Sequence, residues 1–213
     1  MPQYGRFFPG MALARRPIMP ASKLKILVID ESRTRAGEIC AGLALAGHQV
    51  LAVLDSTADL AGQVAQIRPD VILIDTESPS RDTLEHLAAM ERDLPRPVVI
   101  FAQESDPATT RRAIAAGVAA YVVDGLEPGR LKPVIEVAVA RFESHQALKQ
   151  ELAEATQKLS ERKLIDRAKG LLMKSRGLDE EAAYAALRRL AMDRGQPLSA
   201  AARDVIAVAK LLL

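Results

Sequence analysis

The chain has 213 residues, 49% of them hydrophobic and 26% charged, with a net charge of +2; these are ordinary globular values and exclude global disorder. No run approaches the roughly 18 apolar residues of a membrane-spanning helix. The single cysteine, Cys40, excludes an intrachain disulfide and a cysteine-based zinc site, and the absence of Trp beside three Tyr and four Phe argues against stacking of bases on an aromatic sheet.

Residues 1–22 come first. Their basic residues are scattered, prolines at positions 2, 9, 17 and 20 discourage helix, and no apolar stretch follows of the kind a signal peptide needs. This segment reads as a disordered tail, and the chain is expected to stay in the cytoplasm.

From residue 23 the pattern changes. Lys25–Ile29 is a continuous apolar run, as expected of a strand buried on both faces. A helix over 33–46 ends at Gly47. Gln49–Leu54 reads as a strand, 57–67 as a helix closed by Arg68 and Pro69, Val71–Ile74 and Val98–Phe101 as strands, Pro107–Ala116 as a helix stopped by Gly117, and Ala120–Val123 as a fifth strand. Strands alternating with helices predict an α/β domain over 23–143, a five-stranded parallel sheet of flavodoxin-like form covered on both faces. Its crevice should lie beyond the carboxyl ends of the strands.

Those ends are acidic. The first strand runs into Asp30 and Glu31 and the third into Asp75. Carboxylates gathered at one sheet edge raise one another's pKa, and a hard cation such as Mg²⁺, which takes one or two carboxylates plus waters, relieves the repulsion. The alternative is that Asp30 and Asp75 cap the helices that follow, since Asp is favoured at N-caps.

Beyond Pro128, no Gly or Pro occurs between Pro133 and Gly170. A helix over 134–160 would span roughly 40 Å at about 1.5 Å per residue. Leu148, Leu152, Ala155 and Leu159 have the spacing of a coiled-coil seam, which continues backward through Val134, Ala138, Arg141 and His145. Residues 144–160 thus read as a linker helix with a short dimer seam, or as a solvated amphipathic helix.

Residues 161–213 read as three short helices: Glu161–Ser175 stopped by Gly177, a second capped by Asp179 and running to Arg194, and a third from about Ser199. Leu164, Ile165, Ala168, Leu171 and Leu172, then Ala183, Ala186, Leu187 and Leu190, then Val205, Ile206, Val208 and Ala209 should form a small core. Charge divides along the chain. Residues 1–23 carry four Lys and Arg and no acid, 24–145 carry 12 against 18 Asp and Glu, and 146–213 carry 13 against 9. The basic end is the better candidate for a polyanionic partner.

Four segments, ILVIDES (26–32), PDVILIDTESPSRD (69–82), RPVVIFAQ (96–103) and AAGVAAYVVDGL (115–126), resemble the receiver domain of bacterial two-component response regulators. The resemblance implies that Asp75 stands at the phosphoacceptor position, Asp30 and Glu31 at the metal-binding acidic pair, and Tyr121 at the switch aromatic, with Pro79 matching a proline that follows the acceptor. Two positions depart from the family pattern. Ala102 stands where a Ser or Thr hydroxyl would bond the phosphoryl group, and Asp124 where a Lys would balance its charge. A charge about 4 Å away is worth about 4 kcal/mol at an effective dielectric near 20, so reversing its sign disfavours phosphate. The receiver is expected to be atypical and to work through protein contact, with phosphorylation at Asp75 doubtful.

The run ERKLIDRAKGLLMKSRGLDEEAAYAALRRLAMDRG (161–195) resembles the ANTAR domain, an RNA-binding antitermination module. The resemblance implies binding to hairpin loops in leader transcripts, whose splayed bases are accessible to Arg and Lys. Lys169, Arg188, Arg189 and Arg203 are the expected RNA contacts, with Arg167, Lys174 and Arg176 beside them. Gly170 inside a helix costs about 1 kcal/mol relative to Ala, which points to close packing or RNA approach there. Together the two resemblances are to transcription antitermination regulators. Tyr121–Leu126 most resembles those of nitrate and nitrite assimilation, in which a nitrate-sensing partner holds the regulator inactive. The expected mechanism is release from that sensor, formation of a homodimer through the linker helix, and capture of a paired hairpin that excludes a competing terminator. A histidine kinase is the other expected partner of a receiver. Two other readings are a DNA-binding response regulator and a receiver that dimerises on phosphorylation. An enzyme of the haloacid-dehalogenase type would want a second Asp two residues after Asp75, where Glu77 stands.

Overall fold

The computed structural model describes residues 23–104, 106–123 and 127–211. The tail read over 1–22 and the position of Asp124 lie outside them. The chain forms two compact units divided between His145 and Gln146.

In the first unit β1 (Lys25–Asp30), β2 (Gln49–Leu54), β3 (Val71–Thr76), β4 (Val98–Ala102) and β5 (Ala120–Val123) alternate with α1 (Arg33–Leu45), α2 (Leu60–Ile67), α3 (Arg81–Asp93) and α4 (Pro107–Ala115). A fifth helix, α5 (Pro128–Arg176), follows. All strand pairs are parallel, in the order β2-β1-β3-β4-β5. The order reverses between β1 and β3, which is where such sheets open a crevice at their carboxyl ends.

The three central strands are buried on both faces because their apolar runs supply both. Leu27, Ile29, Ile72, Ile74 and Ile100 pack with Leu60, Val64, Leu84, Leu87 and Met90 of α2 and α3. Their sequence neighbours Ile26, Val28, Leu73, Val99 and Phe101 pack on the opposite side with Ile39 and Leu43 of α1 and with Leu131, Ile135, Ala138 and Val139 of α5. The two-residue alternation of a strand thus feeds two cores.

In the second unit the last part of α5, α6 (Glu180–Asp193) and α7 (Leu198–Leu211) enclose Ala168, Leu187, Ala191, Ala201, Ala202 and Ile206. Leu164, Ile165, Leu171, Leu172, Leu190 and Val205 pack around them. Asp179 caps α6 by accepting a 2.7 Å bond from the Ala182 amide, as its position before two acids predicts.

Three expectations change. The linker helix and the first C-terminal helix are one uninterrupted α5, since nothing between them breaks a helix. The backward extension of the seam is unavailable to a partner where Val134 and Ala138 are spent on the sheet core. Val208 is 55% exposed rather than internal.

Candidate functional site

Asp30 and Asp75 are register partners on β1 and β3, so the adjacent strands, roughly 4.8 Å apart, deliver both carboxylates to the switch point. They are 3% and 5% exposed. Neither caps a helix: the N-cap of α1 is Ser32 and that of α3 is Ser80, whose side chain accepts from the Thr83 amide. The Ser32 amide donates to Asp30 Oδ1 at 2.7 Å. Asp30 Oδ2 is buried with no hydrogen-bond partner among the described residues.

Between the carboxylates lies a residue that the strand-end pattern does not single out. Arg35, in the first turns of α1, places Nη2 3.6 Å from Asp30 Oδ1 and Nε 3.3 Å from Asp75 Oδ2. Nε is buried and makes no directed hydrogen bond among the described residues, so the contact is an ion pair without good alignment. Burial pushes the Asp75 carboxyl above its usual range, Arg35 opposes the shift, and Asp30 adds to it.

Glu31, the third acid expected here, is exposed, and no cluster of three possible metal ligands forms among the described residues. The donor chemistry nevertheless fits a hard cation, because Asp30 Oδ2 is an orphaned buried oxygen beside a second carboxylate. Mg²⁺ held by Asp30 and Asp75 would supply positive charge at this edge and complete its shell with water.

Around the pair, Ala102 is fully buried at the end of β4, opposite Thr76 and Val123, and offers no donor. Tyr121 packs against the core cluster that contains Ala102, and its hydroxyl is buried without a partner among the described residues. Pro79 is buried in the loop after Asp75. The two loops are tied by backbone bonds beyond the strands, Gln103 N to Thr76 O at 3.2 Å and Glu104 N to Glu77 O at 3.0 Å.

The second cluster of sequence-nominated residues lies in the helical unit. Arg167, Lys174, Arg176, Arg188, Arg189 and Arg203 are all exposed. None of them forms an ion pair among the described residues, whereas Lys169 is held at 2.9 Å by Asp166 and at 2.8 Å by Glu180. Lys169 therefore ties α5 to α6, and its hydrogen bonds to Glu180 and Asp166 raise its pKa. A Cβ on Gly170 would meet nothing within 4 Å among the described residues, which removes close packing against them as its reason. Lys163, Arg167, Gly170 and Lys174 follow a 4-3-4 spacing on α5 and so share a face. Tyr184, 44% exposed, stands one turn before Arg188 on α6 and is an aromatic group that basic-residue counting overlooks.

Two family models match the chain: the response regulator receiver domain over residues 26–136 and the ANTAR domain over residues 153–206, which begins inside the stretch read as linker. The transcriptional regulatory protein PdtaR of Mycobacterium tuberculosis is 34% identical over 139 residues, 65% of this chain and 68% of that protein. The nitrate regulatory protein of Klebsiella oxytoca is 41% identical over 75 residues, 34% of this chain and 19% of its own length. The solved signal receiver domain of a modulated diguanylate cyclase from Desulfovibrio desulfuricans G20 matches with a TM-score of 0.51 at 22% identity, covering 58% of this chain and 99% of that one, a likeness of fold.

Proposed function

Because this chain belongs to the response regulators that join a receiver domain to an ANTAR domain, we propose that it is an RNA-binding regulator of transcription antitermination rather than a catalyst. The observation that carries this reading is the set of exposed cations without ion-pair partners among the described residues, Arg188, Arg189, Arg203, Arg167, Lys174 and Arg176, within or beside helices the ANTAR model covers. Phosphates and the edges of loop bases are the groups such side chains bond. Lys169 contributes by tying α5 to α6, the helices that carry all of these cations but Arg203.

Likeness to a nitrate regulatory protein over part of the chain supports genes of nitrate or nitrite assimilation as the target. The receiver is atypical: Ala102 has no hydroxyl for a phosphoryl group, and a guanidinium already neutralises the acceptor position. Control therefore runs through contact with a partner, a nitrate-sensing protein in preference to a histidine kinase, and phosphorylation of Asp75 is weak or absent. Release of the partner lets a homodimer form through Leu148, Leu152 and Leu159, which are 62%, 68% and 54% exposed. The dimer then holds paired hairpins in a leader transcript and excludes the competing terminator. The work is cytoplasmic, on nascent RNA.

The test is binding of the full chain to two-hairpin leader RNAs and to duplex DNA, with and without a small-molecule phosphodonor. Tight RNA binding that ignores the phosphodonor is expected, and Arg188→Ala should weaken it by about 1–3 kcal/mol. Preference for duplex DNA would favour a DNA-binding regulator. Phosphodonor-dependent dimerisation would favour a receiver switched by phosphorylation.

A further inference from the structure

We propose that Arg35 is a built-in, displaceable counter-ion, and that its guanidinium and a divalent cation exclude one another from the carboxylates of Asp30 and Asp75. The inference stands whatever the helical unit binds.

The argument begins with charge. Two buried carboxylates side by side need a positive group, and among the described residues Arg35 is the one paired with both. It supplies charge without satisfying the oxygens. Charge-assisted bonds between guanidinium and carboxylate run at about 2.7–2.9 Å, whereas these contacts are 3.3 and 3.6 Å. Among the described residues Nε makes no directed bond, and Asp30 Oδ2 is left bare. A small doubly charged ion would reach both carboxylates and the bare oxygen together, and would repel a guanidinium a few ångströms away. Arg35 also has an exit: its side chain is 33% exposed, while those of Asp30 and Asp75 are 0% and 4% exposed. The carboxylates are fixed by strand register, and the cation that neutralises them is on a helix flank open to solvent. A divalent ion therefore expels Arg35 outward and frees a long cationic side chain on the surface of α1. The state of the acidic edge is then displayed outside it without any phosphorylation.

The experiment titrates Mn²⁺ into the full chain, followed by electron paramagnetic resonance and by calorimetry. Arg35→Ala and Arg35→Gln should each bind Mn²⁺ at least tenfold more tightly than the native chain, and Asp30→Asn should abolish binding. Equal or weaker affinity in the Arg35 variants, or no Mn²⁺ binding in any form, overturns the proposal. The native chain provides a second readout that does not depend on the variants folding: the Nε–H resonance of Arg35. Saturating Mg²⁺ should move it to the position and rapid solvent exchange of an exposed arginine. A resonance that stays put while Mg²⁺ binds means that the two cations share the site, which also overturns it.

Discussion

Asp75 carries a measurable signature of its surroundings. Burial holds its carboxyl above the usual range, against the pull of Arg35. The folded chain thus binds this proton more tightly than the unfolded chain, and the ionised form costs stability. Stability contributed by protonated Asp75 is lost as pH rises from the ordinary aspartate range, about 3.9, through the raised folded value. Asp75→Asn should therefore melt above the native chain at neutral pH, with the gap closing toward about pH 4, in thermal melts followed by circular dichroism. A gap that widens on acidification contradicts the sign. Gly170 gives the other single-residue prediction. None of the described residues lies where its Cβ would be, so Gly170→Ala should stabilise the helical unit by about 1 kcal/mol. Because the bare backbone sits between Arg167 and Lys174 on one helix face, the same change should weaken hairpin binding several-fold. A higher melting temperature with unchanged RNA affinity would remove Gly170 from the interface.

Caps and stops explain much of how the elements are placed. Asp179→Ala removes the bond to the Ala182 amide and should cost about 1 kcal/mol, seen as a lower melting temperature of the helical unit. Much of this scale was readable in the chain itself. The apolar runs Lys25–Ile29, Val71–Ile74 and Val98–Phe101 announced strands buried on both faces, and Gly47 and Gly177, at φ of 86° and 64°, end helices where only glycine does so without strain. Other features were not readable because their partners come from elsewhere in the chain. Helix α2 starts at Leu60 rather than 57 because Asp59 adopts φ 49°, a local conformation that residue type does not dictate. Arg35 looks like any helix-surface arginine until strand register puts Asp30 beside Asp75. Lys169 looks like a free RNA ligand until folding brings up Glu180. Periodicity alone also puts Val208 inside, whereas the face of α7 that meets the core runs through Ala201, Ala202, Val205 and Ile206 and leaves Val208 exposed. The boundary between linker and first C-terminal helix has no counterpart in α5, which no residue breaks there.

For the whole molecule, the receiver reading and the ANTAR reading meet in α5. Its stretch from 147 to 160 is exposed throughout, and Leu148, Leu152 and Leu159 belong to none of the core clusters of the described residues. Leu152→Glu should leave the melting temperature unchanged, shift sedimentation toward monomer, and weaken binding to two-hairpin RNA more than to a single hairpin. Unchanged sedimentation would show that the seam pairs with nothing. The backbone bonds from Gln103 to Thr76 and from Glu104 to Glu77 have a consequence of their own. They lace the segment after Asp75 to the segment after Ala102 through main-chain atoms, which no substitution removes directly except proline at 103 or 104, whose ring has no N–H to donate. A tug on one segment, whether from a docking protein or from an ion settling at the sheet edge, is handed to the other even though Ala102 has no hydroxyl with which to pass it on.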